Sequence, residues 1–417
     1  MSKIALLFSG QGSQYPGMGK ELYEKFPECK RIFQDASAVL NKDIARLCFE
    51  GSSEELSRTE NTQVAVYTVN MAMLYAYEHE LGIRPDFSAG HSLGEYSALT
   101  SAGAIGFEEC LKLVQARGRF MQEVVDETDG SMYAIQGMDQ AIVERVLKES
   151  DERENVFISN YNSFNQVVLS GKSSSIQTIS SKLEEHGANI FPLRIKAPFH
   201  SPFMQKAAKR FKKELEKYEF QEMKWQVVSN VTAMPYQNST SCKDILASHL
   251  VQPVRWQESM RFLSDASVKT YIELGPGKVL RNLARHNNSN VTAFAFDDKE
   301  DKKSILALSK KKDKNLFIEK CVCAAICSRN RNWNESEYQK GVVEPYRKVK
   351  EHYYKLKDSK QEANDRDVEE AGKMLISVLR TKKVPDVEQE MIRKEIFDET
   401  LIYVDLSKYR EEITCLN

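Results

Sequence analysis

The segment Gly90-His91-Ser92-Leu93-Gly94 limits the possible fold more than any other part of the chain. Asp86-Phe87-Ser88-Ala89 before it has the character of a short strand, and Glu95-Tyr96-Ser97-Ala98-Leu99 after it is helical in type. Two glycines around a histidine and a serine at such a junction permit a turn tight enough to lift the serine hydroxyl above a sheet, at the positive end of a helix. The expected context is therefore an α/β fold with Ser92 as a candidate nucleophile. Read alone, the pattern also fits an ordinary strand-to-helix turn.

Neighbouring segments continue the same alternation. Ile4-Ala5-Leu6-Leu7-Phe8 is short, uniformly apolar and ends in Ser9-Gly10-Gln11-Gly12-Ser13, a buried strand running into a glycine-rich turn whose N–H groups can face an anion. A long helix is predicted over 63–80. From 130 to 195 the pattern is strand 132–136, helix 140–148, strands 156–160 and 166–170, helix 175–186 and strand 189–195. That βαββαβ order is the signature of a ferredoxin-like domain. After His200 the α/β pattern resumes, with strands at 227–230 and 270–273 and Gly275-Pro276-Gly277 opening a helix. The small domain is thus expected as an insert, 129–196, in a larger one built from 1–128 and 197–305.

Beyond about residue 308 the composition shifts. Lys310-Lys311-Lys312-Asp313-Lys314 reads as a solvated linker, and Val342, Tyr346, Val349, Tyr353 and Leu356 recur at the spacing of one helix face. Met374, Val378 and Leu379 mark a second helix, and Pro385 is placed to open a third, so 306–417 is expected to be a mainly helical extension.

Eight scattered cysteines suit reduced thiols better than a disulfide framework. Only Cys321, Cys323 and Cys327 cluster, and with no histidine near them a packed helix is the expectation, not a metal site. With 59 basic and 60 acidic residues, no global field draws the chain to nucleic acid or an anionic membrane. No apolar run approaches a membrane span, and 4–8 is too short for a signal-peptide core, so the expected location is cytoplasmic.

A serine hydroxyl is a weak nucleophile at neutral pH and needs a base within hydrogen-bond reach, usually histidine. His79, His286 and His352 stand in charged helical stretches and are expected to face solvent. His200, in Ala197-Pro198-Phe199-His200-Ser201-Pro202, stands where the chain leaves the inserted domain, at the edge of any cleft between the two. Its position favours it as the base, with a plain surface histidine as the alternative.

Gly10-Gln11-Gly12-Ser13-Gln14, Gly90-His91-Ser92-Leu93-Gly94-Glu95-Tyr96-Ser97, Arg117-Gly118-Arg119-Phe120-Met121-Gln122, Ala197-Pro198-Phe199-His200-Ser201 and Glu273-Leu274-Gly275-Pro276-Gly277 resemble the malonyl-CoA:acyl carrier protein transacylase family in order and spacing. The match covers about residues 1 to 300. The resemblance implies an α/β-hydrolase-like domain interrupted by a ferredoxin-like one. It also implies Ser92 as nucleophile, His200 as base, and the N–H groups of Gln11 and Leu93 as oxyanion hole.

Arg117 would grip the free carboxylate of malonate, as a planar guanidinium does with two parallel hydrogen bonds. Phe199, Met121 and Met132 would line the substrate, and Phe199 with Leu93 points to malonyl over methylmalonyl, since a phenyl ring leaves little space for an α-methyl. No third acid is implied. The family orients its histidine with a backbone carbonyl four residues before the proline of a segment like Pro253-Val254-Arg255-Trp256. That position is His249, where family members carry glutamine or asparagine, and its imidazole adds a second titrating group near His200.

The implied reaction is ping-pong, from malonyl-CoA to Ser92 and on to the phosphopantetheine thiol of an acyl carrier protein, without metal or other cofactor. The extension, 306–417, resembles those of free-standing acyltransferases that serve polyketide synthases, and its helices are expected either to stabilise the catalytic body by packing on it or to dock synthase modules. An editing acyl hydrolase is the alternative, sharing Ser92 and His200 but lacking the equivalent of Arg117.

Overall fold

The computed structural model describes residues 3–193, 195, 197–309, 313–400 and 402. Nine strands lie among the described residues: β1 (Lys3–Phe8), β2 (Phe87–Gly90), β3 (Gly130–Gln136), β4 (Val156–Ser163), β5 (Gln166–Lys172), β6 (Asn189–Pro192), β7 (Gln226–Val228), β8 (Val268–Leu274) and β9 (Thr292–Ala295). They form a parallel sheet in the order β7-β2-β1-β8-β9 and an antiparallel sheet in the order β4-β5-β3-β6.

Strands covered on both faces must be apolar throughout, and Ala5 to Phe8 of β1 are fully buried. Register then decides where loops emerge. Phe8 lies opposite both Gly90 and Leu274, and Ala89 lies opposite Val228, so β1, β2, β7 and β8 end along one line. The turns that follow them share the carboxyl edge of the sheet, where open α/β sheets place their sites.

From β2 the chain turns into the helix Gly94–Ser101, as its sequence pattern predicts. Both motif glycines are fixed by close approach. A methyl group on Gly90 would overlap the Gly94 backbone, and one on Gly94 would overlap the carbonyl of Phe8.

The antiparallel sheet has the predicted βαββαβ order, with helices Gln140–Glu149 and Ser173–Glu185. Val143 and Leu147 of the first helix and Ile176, Ile179 and Leu183 of the second pack with Val167 and Leu169 in one apolar core. β4 is tied to the segment after His249, because Tyr161 N–H donates to the Val254 carbonyl at 2.9 Å and Val254 N–H to that of Ser159 at 2.8 Å.

Two predicted strands end early. The one expected over 189–195 stops at Pro192, and residues 194 and 196 lie outside the described residues. The one expected over 227–230 stops at Val228: Ser229 N–H turns to the Met234 carbonyl, and Asn230 N–H goes to the Glu95 carboxylate, so neither continues the ladder.

The described residues divide into two compact units, one drawn from 3–77 and 85–303, the other from 78–84 and the described residues between 304 and 402. Both sheets belong to the first. In the second, helices Lys314–Cys327, Glu344–Asp358, Asp365–Thr381 and Asp386–Thr400 carry a core of their own. Val342, Val349, Tyr353 and Leu356 are buried there with Met374, Val378 and Leu379, and Tyr346 packs against them, so the apolar period marked the inward face.

Of the stretch expected as a linker, 310–312 lie outside the described residues, while Asp313 caps a helix by accepting from Leu316 N–H at 2.8 Å and Lys314 begins it. That helix packs as expected, through Phe317, Ile318, Cys321, Val322 and Ala325, with Cys321 as the buried thiol and Cys323 and Cys327 exposed. Among the described residues no group of three or more His, Cys, Asp or Glu stands ready to hold a metal ion, and no helix is long and apolar enough to cross a membrane.

Candidate active site

Ser92 and His200 both occupy the left-handed backbone region, at φ 52° and 53°, which residues other than glycine seldom adopt. The two turns bring Ser92 Oγ to 2.8 Å from His200 Nε2. On the other side of the ring, His200 Nδ1 lies 2.8 Å from the carbonyl oxygen of His249. A carbonyl can only accept, so Nδ1 carries the proton and Nε2 offers its lone pair to the serine hydroxyl. Burial, reinforced by the charge of Arg117, pushes His200 down to about 3. The ring is neutral at physiological pH, the state that a general base requires.

Gln11 stands in the turn after β1 and Leu93 at the start of the helix Gly94–Ser101. Neither backbone N–H donates to another group among the described residues. The turn carrying Gln11 is braced from both sides: Ser9 Oγ donates to Glu273 Oε1 at 2.9 Å, Asn70 Nδ2 to the Ser9 carbonyl at 3.0 Å, and Ser13 Oγ to that of Gly10 at 2.7 Å. Backbone donors held in place in this way are the kind that receives a developing oxyanion without reorganising.

Arg117, in the helix Phe107–Glu127, is 1% exposed. Its Nη2 donates to Ser92 Oγ at 3.2 Å and its guanidinium lies 5.4 Å from the centre of the Tyr96 ring. Its Nε has no hydrogen-bond partner among the described residues. Met121 follows one turn later on the same helix face and is buried, as are Met132 on β3 and Phe199 next to His200. The histidines expected to face solvent, His79, His286 and His352, are exposed.

The geometry adds residues that sequence reasoning missed. Glu95 is fully buried, accepts from Tyr236 O–H at 2.5 Å and is raised to about 7 by burial. Asn230 is fully buried and bonds to the elbow itself. His91, inside the motif, places Nε2 3.0 Å from Asn162 Oδ1. Only the polarity of these residues in an otherwise apolar context could have signalled them.

Residues 5–322 match the acyl transferase domain family. The chain belongs to that family. It is 35% identical over 401 residues to a malonyl CoA-acyl carrier protein transacylase of Bacillus subtilis, covering 94% of this chain and 100% of that one, an alignment that takes in the C-terminal extension. A second protein of that description, from Bacillus subtilis strain 168, is 43% identical over 302 residues, or 72% of this chain and 95% of that one. Among solved structures, a malonyl CoA-acyl carrier protein transacylase from Clostridium perfringens superposes with a TM-score of 0.71 at 37% identity, covering 74% of this chain and 98% of that chain. A malonyl-transacylase in complex with its type II PKS acyl-carrier protein gives 0.71 at 36% identity, covering 74% of this chain and 100% of that chain.

The side chain of His249 gives this acyl transferase a second buried imidazole. Its ring centre is 4.9 Å from that of His200, and Nδ1 is 3.1 Å from Glu95 Oε2, without the alignment of a hydrogen bond. Burial first, then the charges of His200, Arg117 and His91, hold it well below the ordinary histidine value. Folded His249 and His200 therefore stay neutral at pH values where the unfolded chain protonates both, and stability is lost as pH falls below about 6.5 by up to about 1.4 kcal/mol per unit for each group.

Glu95 works the other way. From its ordinary value up to about 7 the folded state holds the extra proton, a contribution lost as pH rises through about 7. His249→Gln keeps the orienting carbonyl, so the rate of acyl transfer is expected to stay within about threefold of wild type, under about 0.7 kcal/mol. Its melting temperature should fall less than that of the wild type between pH 7 and pH 5, measured by scanning calorimetry. An equal fall would show that His249 does not resist protonation.

Proposed function

We propose that the protein carries a malonyl group from malonyl-CoA to the phosphopantetheine thiol of an acyl carrier protein through a malonyl-Ser92 ester. The observation that carries this reading is the buried Arg117, a cation beside the nucleophile with an unpartnered Nε. A buried guanidinium that feels Glu95 at a distance but has no carboxylate in ion-pair contact among the described residues can take an anion, and a malonyl carboxylate reaching back from the acylated serine supplies one. The names of the relatives and of the carrier-protein complex support substrate and partner, and favour transfer over an editing hydrolase.

In the first half-reaction His200 Nε2 takes the Ser92 proton as Oγ attacks the thioester carbonyl, and the oxyanion settles between the N–H groups of Gln11 and Leu93. Collapse expels the CoA thiolate, which takes the proton from His200. In the second half the carrier thiol gives its proton to His200 and attacks the ester, and Ser92 leaves with that proton. The chemistry calls for no metal or cofactor beyond the two thiol carriers. Phe199, Met121 and Met132 would line the acyl pocket.

The division into 1–128 with 197–305, 129–196 and 306–417, and a cytoplasmic location, belong to the same reading. A role for 306–417 in docking polyketide synthase modules belongs to it too, carried by a unit with an apolar core of its own. Wild-type protein incubated with malonyl-CoA is expected to gain one malonyl group, mapped by peptide mass to Ser92, and to lose it to added holo carrier protein. Loss to water at the same rate without the carrier would favour the hydrolase.

A further inference from the structure

At φ 52° the peptide of Ser92 is turned away from both the strand before it and the helix after it, so its N–H needs a partner outside either. That partner is Asn230 Oδ1, which accepts from Ser92 N–H at 2.7 Å, while Nδ2 of the same side chain donates to the Gly90 carbonyl at 2.8 Å. One fully buried carboxamide thus ties the start of the elbow, Gly90, to its apex, Ser92. It reaches there through sheet register: Val228 of β7 lies opposite Ala89 of β2, so the residue two beyond β7 stands beside the turn two beyond β2.

Asn230 is itself pinned. Its N–H lies 3.3 Å from each oxygen of the Glu95 carboxylate, and its carbonyl accepts from Arg255 N–H at 2.9 Å. Tyr236 O–H holds Glu95 in turn.

We infer that Asn230 is a positioning residue for the nucleophile, its carboxamide holding the Ser92 peptide in the left-handed conformation that aims Oγ at His200. The inference rests on Ser92 being the nucleophile. The chemistry of the contact demands an acceptor and a donor on one planar group. Alanine supplies neither. An ionised aspartate supplies two acceptors, one of them facing the Gly90 carbonyl, whereas a protonated aspartate reproduces both bonds, its O–H donating where Nδ2 did.

Malonyl loading, followed by rapid quench and intact mass, would be compared for wild type, Asn230→Ala and Asn230→Asp between pH 5 and pH 9. Asn230→Ala is expected to lower the saturated loading rate about 100-fold, as misplacement of a reacting group does, while the half-saturating malonyl-CoA concentration stays within about threefold because the Arg117 grip is untouched. Asn230→Asp should approach the wild-type rate at pH 5 and fall reversibly as pH rises, roughly tenfold per unit once the aspartate ionises. Glu95, with Tyr236 on it, and Arg255 face the position, and His200, His249, His91 and Arg117 belong to the adjoining site, in variant and wild type alike, so the ratio of the two at each pH removes what they share and leaves the effect of the aspartate.

A merely structural role would not yield a pH-reversible rate at constant fold. The inference is overturned by a folded Asn230→Ala protein that loads at the wild-type rate, by an Asn230→Asp profile parallel to wild type or dead throughout, or by failure of both variants to fold. If wild type takes no malonyl group, the transferase reading fails separately. The same variants, read with a fluorophosphonate that labels Ser92, then still test the positioning.

Discussion

Ser92→Ala is expected to leave no malonyl adduct, and His200→Ala to slow adduct formation by about 10³-fold at neutral pH with the fold intact. The first follows from the proposed ester, in which Oγ is the atom acylated. The second follows from the geometry of the base. His200 Nε2 is 2.8 Å from Ser92 Oγ, and its other nitrogen is fixed as the donor by the His249 carbonyl. His249 cannot substitute, because its carbonyl, not its ring, faces His200 Nδ1 and its own Nδ1 lies towards Glu95.

The residual rate in His200→Ala would come from the Gln11 and Leu93 N–H groups, which the substitution leaves in place. Rapid-quench loading with malonyl-CoA, alongside melting curves, checks both variants. Removing a buried histidine that must stay neutral should also reduce the loss of stability below about pH 6.5. A folded His200→Ala protein that loads within tenfold of wild type would remove His200 from the role of base.

Legibility in the sequence followed distance along the chain. Ser92 was readable because its strand, turn and helix are consecutive, and Gly90 answers to a clash within the turn, whereas the need for Gly94 comes from the Phe8 carbonyl on the neighbouring strand. The helix faces of the C-terminal unit were readable because the 3.6-residue period needs no knowledge of partners. His200 was suggested by its place at the exit of the inserted domain, and Arg117 only by resemblance, since nothing in a helical arginine announces that packing will bury it.

Asn230 could not be found this way. Its bond to Ser92 spans 138 residues and depends on the pairing of β7 with β2, and β7 has only three residues. Glu95 lay in full view within the motif, yet a glutamate in the first turn of a helix reads as a solvated charge that favours the helix dipole. What makes it different is burial under Tyr236 and Asn230, a tertiary fact. The same limit applied to His249, whose carbonyl was implied only by the family resemblance at the segment Pro253-Val254-Arg255-Trp256, while the surroundings of its ring were implied by nothing in the sequence.

Arg117→Ala is expected to cut malonyl loading by about 10²-fold or more, of the order of 3 kcal/mol, while acetyl loading from acetyl-CoA is retained. Malonyl and acetyl differ by the carboxylate alone, so the pair separates the grip on the acid from the chemistry at Ser92. A lysine in its place should recover only part of the loss, because an ammonium is a point charge without the paired donors of a guanidinium.

The variant should also move the pH profile in a direction fixed by sign. The charge of Arg117 is the second cause, after burial, of the low value at His200. Without it the imidazolium is less disfavoured, the His200 value rises towards the ordinary one, and the base is lost at a higher pH on acidification. Acetyl loading by Arg117→Ala should therefore decline at a higher pH than acetyl loading by wild type, a comparison that the missing malonate grip cannot confound. If malonyl and acetyl loading fell together and the acid limb stayed where it was, Arg117 would be a scaffold for the Tyr96 and Ser92 contacts and not the clamp for a malonyl carboxylate.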